Sequence, residues 1–139
     1  MKSLESLIRL NRWQLDEKRR ALVELETLIA SLSDERRRVE EALARERQVL
    51  TDDPDPTIAF ANYLNAIKGR RAAIDQSIAQ ARSKLDALTD EIADAFQDLK
   101  KVETAEEDRI RRMVLARKRR DGAALDEVAV TGHVRRQQM

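Results

Sequence analysis

The chain has 139 residues with a net charge of +1, 38% charged residues, 3% aromatics, three glycines, two prolines and no cysteine. So few large side chains do not fill a three-dimensional core, whereas they suffice for the narrow seam between long helices. The near-neutral total gives no global pull toward nucleic acid or an acidic membrane, and the lack of cysteine excludes disulfides and thiolate chemistry and fits a reducing compartment.

From the N-terminus, Met1-Lys2-Ser3-Leu4-Glu5 brings charge in too early for a secretory signal. No apolar run approaches the roughly 18 residues of a membrane span. An apolar repeat of seven runs through Leu4, Ile8, Asn11, Leu15, Lys18, Leu22, Leu25, Ile29, Leu32, Arg36, Val39, Leu43, Glu46 and Leu50, which predicts a helix over 2–51 with one coiled-coil seam. Trp13 falls on the outer face. Two readings stand for it: a ring lying along the stem of Arg9 or Arg12, or an interface anchor, a role in which Trp is enriched.

Asp52-Asp53-Pro54-Asp55-Pro56 interrupts this pattern. Two prolines so close do not fit inside a helix, and each disfavours helix at the residue before it. The expectation is a turn at 52–56, with Asp55 as N-cap and Pro56 opening the next helix.

The repeat resumes at Phe60, Leu64, Ile67, Arg71, Ile74, Ile78, Ala81, Leu85, Leu88, Ile92, Ala95, Leu99, Val102, Glu106, Arg109, Met113 and Ala116. It predicts a second, longer helix over 57–120, ended by Asp121-Gly122. Tyr63 and Phe96 flank its seam, and Glu103, Glu106, Glu107 and Asp108 read as a solvated acidic turn. Residues 121–139 read as a flexible or short-helical tail, broken again at Gly132 and ordered by a partner.

So short a connection makes the helices antiparallel neighbours. The fold class is all-α: a two-helix antiparallel coiled-coil hairpin over 1–120, with a flexible tail. Folding about Asp55 pairs Leu43 with Ile67, Leu32 with Ile78, Leu22 with Leu88 and Ile8 with Val102. Lys18 faces Ile92, Arg36 faces Ile74, and Arg71 faces Val39, so each long stem lies on an apolar neighbour while its charge reaches water. Asn11, opposite Leu99, either fixes the register or marks a weak stretch of seam. Leu4 meets Glu106, so the second helix outlasts the first. The stretch from about Glu107 to Arg120 is left without a partner from its own chain. The same heptads also allow pairing between chains.

Motifs for chemistry are lacking. There is no Gly-rich phosphate loop and no metal-ligand spacing, and His133 is the sole histidine. The expectation is a protein that is not an enzyme, with no catalytic residue, no metal and no cofactor. Between Arg109 and Arg120 lie seven basic residues and no acid, with Met113, Val114 and Leu115 among them. A solvated helix end accounts for Arg117 to Arg120 through the helix dipole, but not for the exposed apolar residues, which point to a partner-binding tip. No aromatic interleaves the cations, so nucleic acid is not the expected partner.

Leu4-Glu5-Ser6-Leu7-Ile8-Arg9-Leu10-Asn11-Arg12-Trp13-Gln14-Leu15-Asp16-Glu17-Lys18-Arg19-Arg20, then Ala95-Phe96-Gln97-Asp98-Leu99-Lys100-Lys101-Val102-Glu103, and Leu125-Asp126-Glu127 with His133, resemble the flagellar FliJ family in its alphaproteobacterial form. The resemblance covers nearly the whole chain. It implies a cytoplasmic component of the flagellar type III protein export apparatus, at the inner face of the cytoplasmic membrane and held there through protein contacts only. The implied hairpin is similar to the central stalk of rotary ATP synthases, its terminal end entering the hexameric export ATPase FliI. The export gate FlhA and export chaperones are the other implied partners. Carried onto this chain, the ATPase-binding residues are Trp13, Arg109, Arg111, Arg112, Met113, Arg117 and Arg120. The gate-binding residues are Asn62, Tyr63, Ile67, Ala73 and Ile74, with Ala66 and Arg70 standing where some relatives carry bulkier apolar residues. The readings from other classes are a generic coiled-coil tether or holdase chaperone, and a nucleic-acid-binding helical arm.

Overall fold

A computed structural model describes residues 3–52 and 58–138. Two helices account for nearly all of them: α1, Glu5–Asp52, and α2, Ile58–Gln137. They form an antiparallel hairpin with the second arm longer. The expected turn, with the Asp55 cap and both prolines, lies outside the described residues apart from Asp52, which closes α1.

Contacts divide the chain into two units, one of the N-terminal residues through Arg12 with Phe96 onward, the other of Trp13–Ala95. In the second unit Val39, Ile74 and Ile78 form a buried cluster with Leu32 and Ile67 packed against it. Leu15, Leu43 and Ala81 are buried as well. These residues recur at the spacing that keeps one stripe of each helix facing the other, so the core is a seam.

The polar seam residues gain partners that the heptads did not name. Lys18 Nζ lies 3.4 Å from Glu91, Arg71 donates to Glu40 at 3.0 Å, and the Arg36 guanidinium bonds Asp75. All three pairings lie within one residue of the fold centred on Asp55. All three residues are half-buried, and each charge ends on a carboxylate of the opposite arm. Arg70 adds a bond to Glu35 at 3.2 Å. Exposed pairs of this kind contribute little stability one by one. Repeated across the hairpin, they disfavour a slipped register, because a slip would set several charges against the wrong neighbours.

Two expected boundaries are corrected. Helix α1 starts at Glu5, not at residue 2. The Leu4 carbonyl accepts the first helical bond, from Ile8 N–H at 2.9 Å, which makes Leu4 the N-cap. Leucine has no side-chain acceptor, so Ser3 Oγ takes the Glu5 N–H at 3.2 Å instead.

The second correction concerns Arg120. Helix α2 does not stop there but continues through Asp121-Gly122 and Gly132 to Gln137, so residues 121–137 extend it. A helical glycine costs only about 1 kcal/mol relative to alanine. Neither glycine has a positive φ, so neither acts as a left-handed cap. Around Gly122, Ala123, Ala124 and Leu125 are strong helix formers that outweigh one weak position.

Candidate interaction surface

The unit containing residues 1–12 and 96 onward holds both the last covered turn of α2 and its bare continuation. Up to Arg109, every seam position of α2 is at least half-buried, Glu106 fully so. From Ile110 to Asp121 every residue is exposed. Met113 and Ala116 still obey the heptad, but both are exposed. Ile110, Val114 and Leu115 are exposed beside them, and Leu125, Val128, Val130 and Val134 farther on. Residues 110–137 carry eight basic and three acidic side chains, a surplus of five in a chain whose total is +1, so the remaining residues carry net −4. The bare helix is where this chain concentrates positive charge together with exposed aliphatic surface.

The boundary is built around Glu106, only 7% exposed and the one buried charged residue among those described. Its Oε2 accepts the Leu4 backbone N–H at 2.9 Å, and its Oε1 accepts the Ser3 hydroxyl at 3.4 Å. Arg109, one turn along on the same helix, donates Nε to Oε2 at 3.1 Å and Nη2 to Oε1 at 2.7 Å. The carboxylate from α2 thus satisfies the N-cap N–H of α1, the task a glutamate at the third helical position performs in a local capping box. The Arg109 guanidinium first, and the Leu4 N–H next, hold the carboxyl at about 2, well below its ordinary 4.5. The Arg109 guanidinium is raised in turn, through its bonds to Glu106. Glu106 is therefore not part of a solvated acidic turn. Glu103 also departs from that expectation: it is half-buried, 3.7 Å from Lys100 and 4.0 Å from Arg12.

The cations named from the sequence divide by environment. Arg109 is engaged by Glu106 and also reaches Met113 Sδ at 3.3 Å. Arg111 pairs with Asp108 at 3.0 Å. Arg112, Arg117 and Arg120 are exposed, and no carboxylate among the described residues lies within ion-pair reach of them. Trp13 opens the other unit and is 60% exposed. Of the second set, Asn62, Tyr63 and Ala73 are exposed, Ile67 is half-buried, and Ile74 is 6% exposed inside the seam cluster. The resemblance treats all five alike, while the hairpin leaves only Asn62, Tyr63 and Ala73 on its surface and keeps Ile67 and Ile74 on the seam that the heptads predict. Phe96 stands exposed beside its helix with Lys100 Nζ 5.4 Å from the ring centroid, a weak cation–π contact.

Sequence reasoning missed Ser3 and the role of Glu106. The signal was present: a carboxylate on a seam position, opposite the first apolar residue of α1, with an arginine three residues on.

The fold and this surface define a class of protein, a coiled-coil hairpin whose longer arm runs on bare beyond the shorter one. Among the described residues, no helix is long and apolar enough to cross a membrane. Compared with known families, residues 1–138 match the family described as Flagellar FliJ protein. The chain belongs to the FliJ family, a cytoplasmic, chaperone-like component of the flagellar type III export apparatus and not a known enzyme family. No curated protein and no solved structure is similar enough to count as a match.

Proposed function

We propose that this chain acts as the stalk of the flagellar export ATPase, with the bare stretch of α2 from Ile110 onward as the segment that engages the FliI hexamer. The observation that carries the reading is the change at Arg109–Ile110, from a covered seam to a helix exposed at each position through Asp121. Arg112, Arg117 and Arg120 are exposed without an acid partner among the described residues, and Met113 supplies apolar contact. Cations and aliphatic side chains on several sides of one helix suit a partner that surrounds it. Arg109 and Arg111 contribute at the edge of this set, and Trp13 serves as a separate exposed anchor on α1.

Contact with the export gate FlhA is assigned to the exposed side chains Asn62, Tyr63 and Ala73, with Ile67 at their border and Ile74 supporting them from the seam. Export chaperones are further protein partners, and association with the inner face of the cytoplasmic membrane follows from the gate contact alone.

The test is ATP hydrolysis by the purified export ATPase with and without this chain. The full chain raises the rate, and a chain ending at Arg109 does not, while keeping the Glu106 cap and the helical signal of the hairpin. Equal stimulation by the shortened chain would remove the bare helix from the interface. For the gate, Tyr63→Ala weakens binding of the FlhA cytoplasmic domain without lowering the melting temperature, and unchanged binding would unseat that assignment.

A further inference from the structure

Arg109 is the first cation of the bare helix, yet it is the one least available to a partner. Its guanidinium makes two bonds to Glu106, at 2.7 and 3.1 Å, and a contact to Met113 Sδ. The same carboxylate holds the start of α1 through the Leu4 N–H and the Ser3 hydroxyl. One acceptor group therefore serves two clients on opposite arms.

The other contacts at this end are few: Arg12 lies 4.0 Å from Glu103, and Leu99 of α2 is the one buried apolar residue among those described in this unit. Leu4 and Ile8 are only half-buried, and Leu7 and Leu10 are exposed. The fully buried positions of α1 begin at Leu15. Apolar burial near the N-terminus is thus shallow, and the carboxylate bonds form a large part of what keeps this turn docked.

We propose that the first turn of α1 is a detachable strap, latched by Glu106, and that its release lengthens the bare face of α2 backwards from Ile110 to Val102. While docked, the strap covers Val102 and Glu106, and the Glu106 carboxylate that latches it also holds Arg109 on its own helix. Once released, the seam positions Val102, Glu106 and Arg109 become continuous with Ile110 and Met113. A partner that binds the undocked form better than the docked form then draws the strap open, and its differential affinity sets how far. This device stands on the contacts around Glu106 and holds for whichever macromolecule the bare helix binds.

The chain has no cysteine, so a labelled pair can be introduced at the exposed positions Glu5 and Glu107 without background. Spin labels there give one short, narrow distance distribution in the otherwise unchanged chain. Glu106→Gln adds a longer-distance population, while a control pair at Ser33 and Gln76 stays unchanged. Arginine modification by phenylglyoxal, read by peptide mass spectrometry, supplies the second measurement. Arg109 reacts more slowly than the exposed Arg112, and Glu106→Gln raises its rate about tenfold, the factor for one lost charge-assisted bond. Ser3→Ala raises it less. Two results overturn the proposal: an Arg109 rate equal to that of Arg112 in the unaltered chain, or a Glu5–Glu107 distribution unmoved by Glu106→Gln.

Discussion

Helix α2 contains two stretches of similar apolar content and opposite circumstance. Between Phe60 and Arg109 its apolar stripe is covered by α1, and from Ile110 to Gln137 an apolar content of the same kind faces solvent. Both stretches are helical throughout. Helicity here is therefore not evidence of packing. The covered stretch is held by burial along one face, and the bare one by intrinsic preference and the helical bonds of its own backbone. The same residue type meets different surroundings in each: Ile74 closes a core, while Ile110 is left facing solvent.

The largest effect that tests this contrast is Leu43→Ala against Leu125→Ala. Leu43 is 1% exposed and Leu125 is 70% exposed. Loss of the first costs about 2–5 kcal/mol, and loss of the second changes stability by less than about 0.5 kcal/mol. Urea denaturation of both variants checks this, and comparable losses would mean that Leu125 is covered in solution. Within the covered stretch, Val39→Ala and Ile74→Ala share one cluster, so their double-mutant cycle departs from additivity by about 0.5–3 kcal/mol. Simple addition would show that the arms are not paired in this register.

The boundary has its own signature in pH. The folded-state value of Glu106, about 2, lies below its ordinary 4.5, so its contribution is full above about 4.5 and is lost as pH falls toward 2. The melting temperature therefore drops across that window more steeply in the unaltered chain than in Glu106→Gln. Superimposable profiles would show that the carboxylate is not bonded in solution.

Two smaller effects complete the series. Gly122 is helical with open space where a Cβ would stand, so Gly122→Ala strengthens the bare helix by about 0.4–1 kcal/mol, read as slower amide exchange over 121–137. Unchanged exchange there would place the end of the stable helix before Gly122. Arg20→Ala removes an exposed pair with Glu17 at 2.7 Å and costs under about 0.5 kcal/mol. A larger loss would reveal a packing role for the arginine stem.

The heptads made most of the fold legible. Leu32, Val39, Ile67, Ile74 and Ile78 stand on the predicted seam and meet there, because burying one stripe per helix leaves few other arrangements. The pairing about Asp55 was readable because a short connection removes the freedom to choose partners. Less legible was whatever depends on the neighbour of a seam residue. That Lys18 ends on Glu91 and Arg71 on Glu40 follows from side-chain reach, which periodicity does not encode. The end of α2 was misread because Asp-Gly is a turn signal by local preference, while the alanines and leucine after it favour helix by a comparable margin. Of the surface residues, the bare cations were visible as a charge run, whereas the sharing of Glu106 between Arg109 and the start of α1 depends on side-chain reach. Ile74 shows the converse: a matched position in a family pattern does not say whether the side chain faces a partner or the core.

The bond between Leu4 and Glu106 also makes the hairpin a measuring device. One arm is counted off against the other along the seam, so the length of α1 dictates where the unaccompanied part of α2 begins. Removing one heptad from the start of α1 would lay bare roughly 10 Å more of α2, and adding one would sheathe as much. Insertions and deletions in this chain are therefore tolerable as matched sets on the two arms, and an unmatched one changes the reach of the tip without touching a single residue in it.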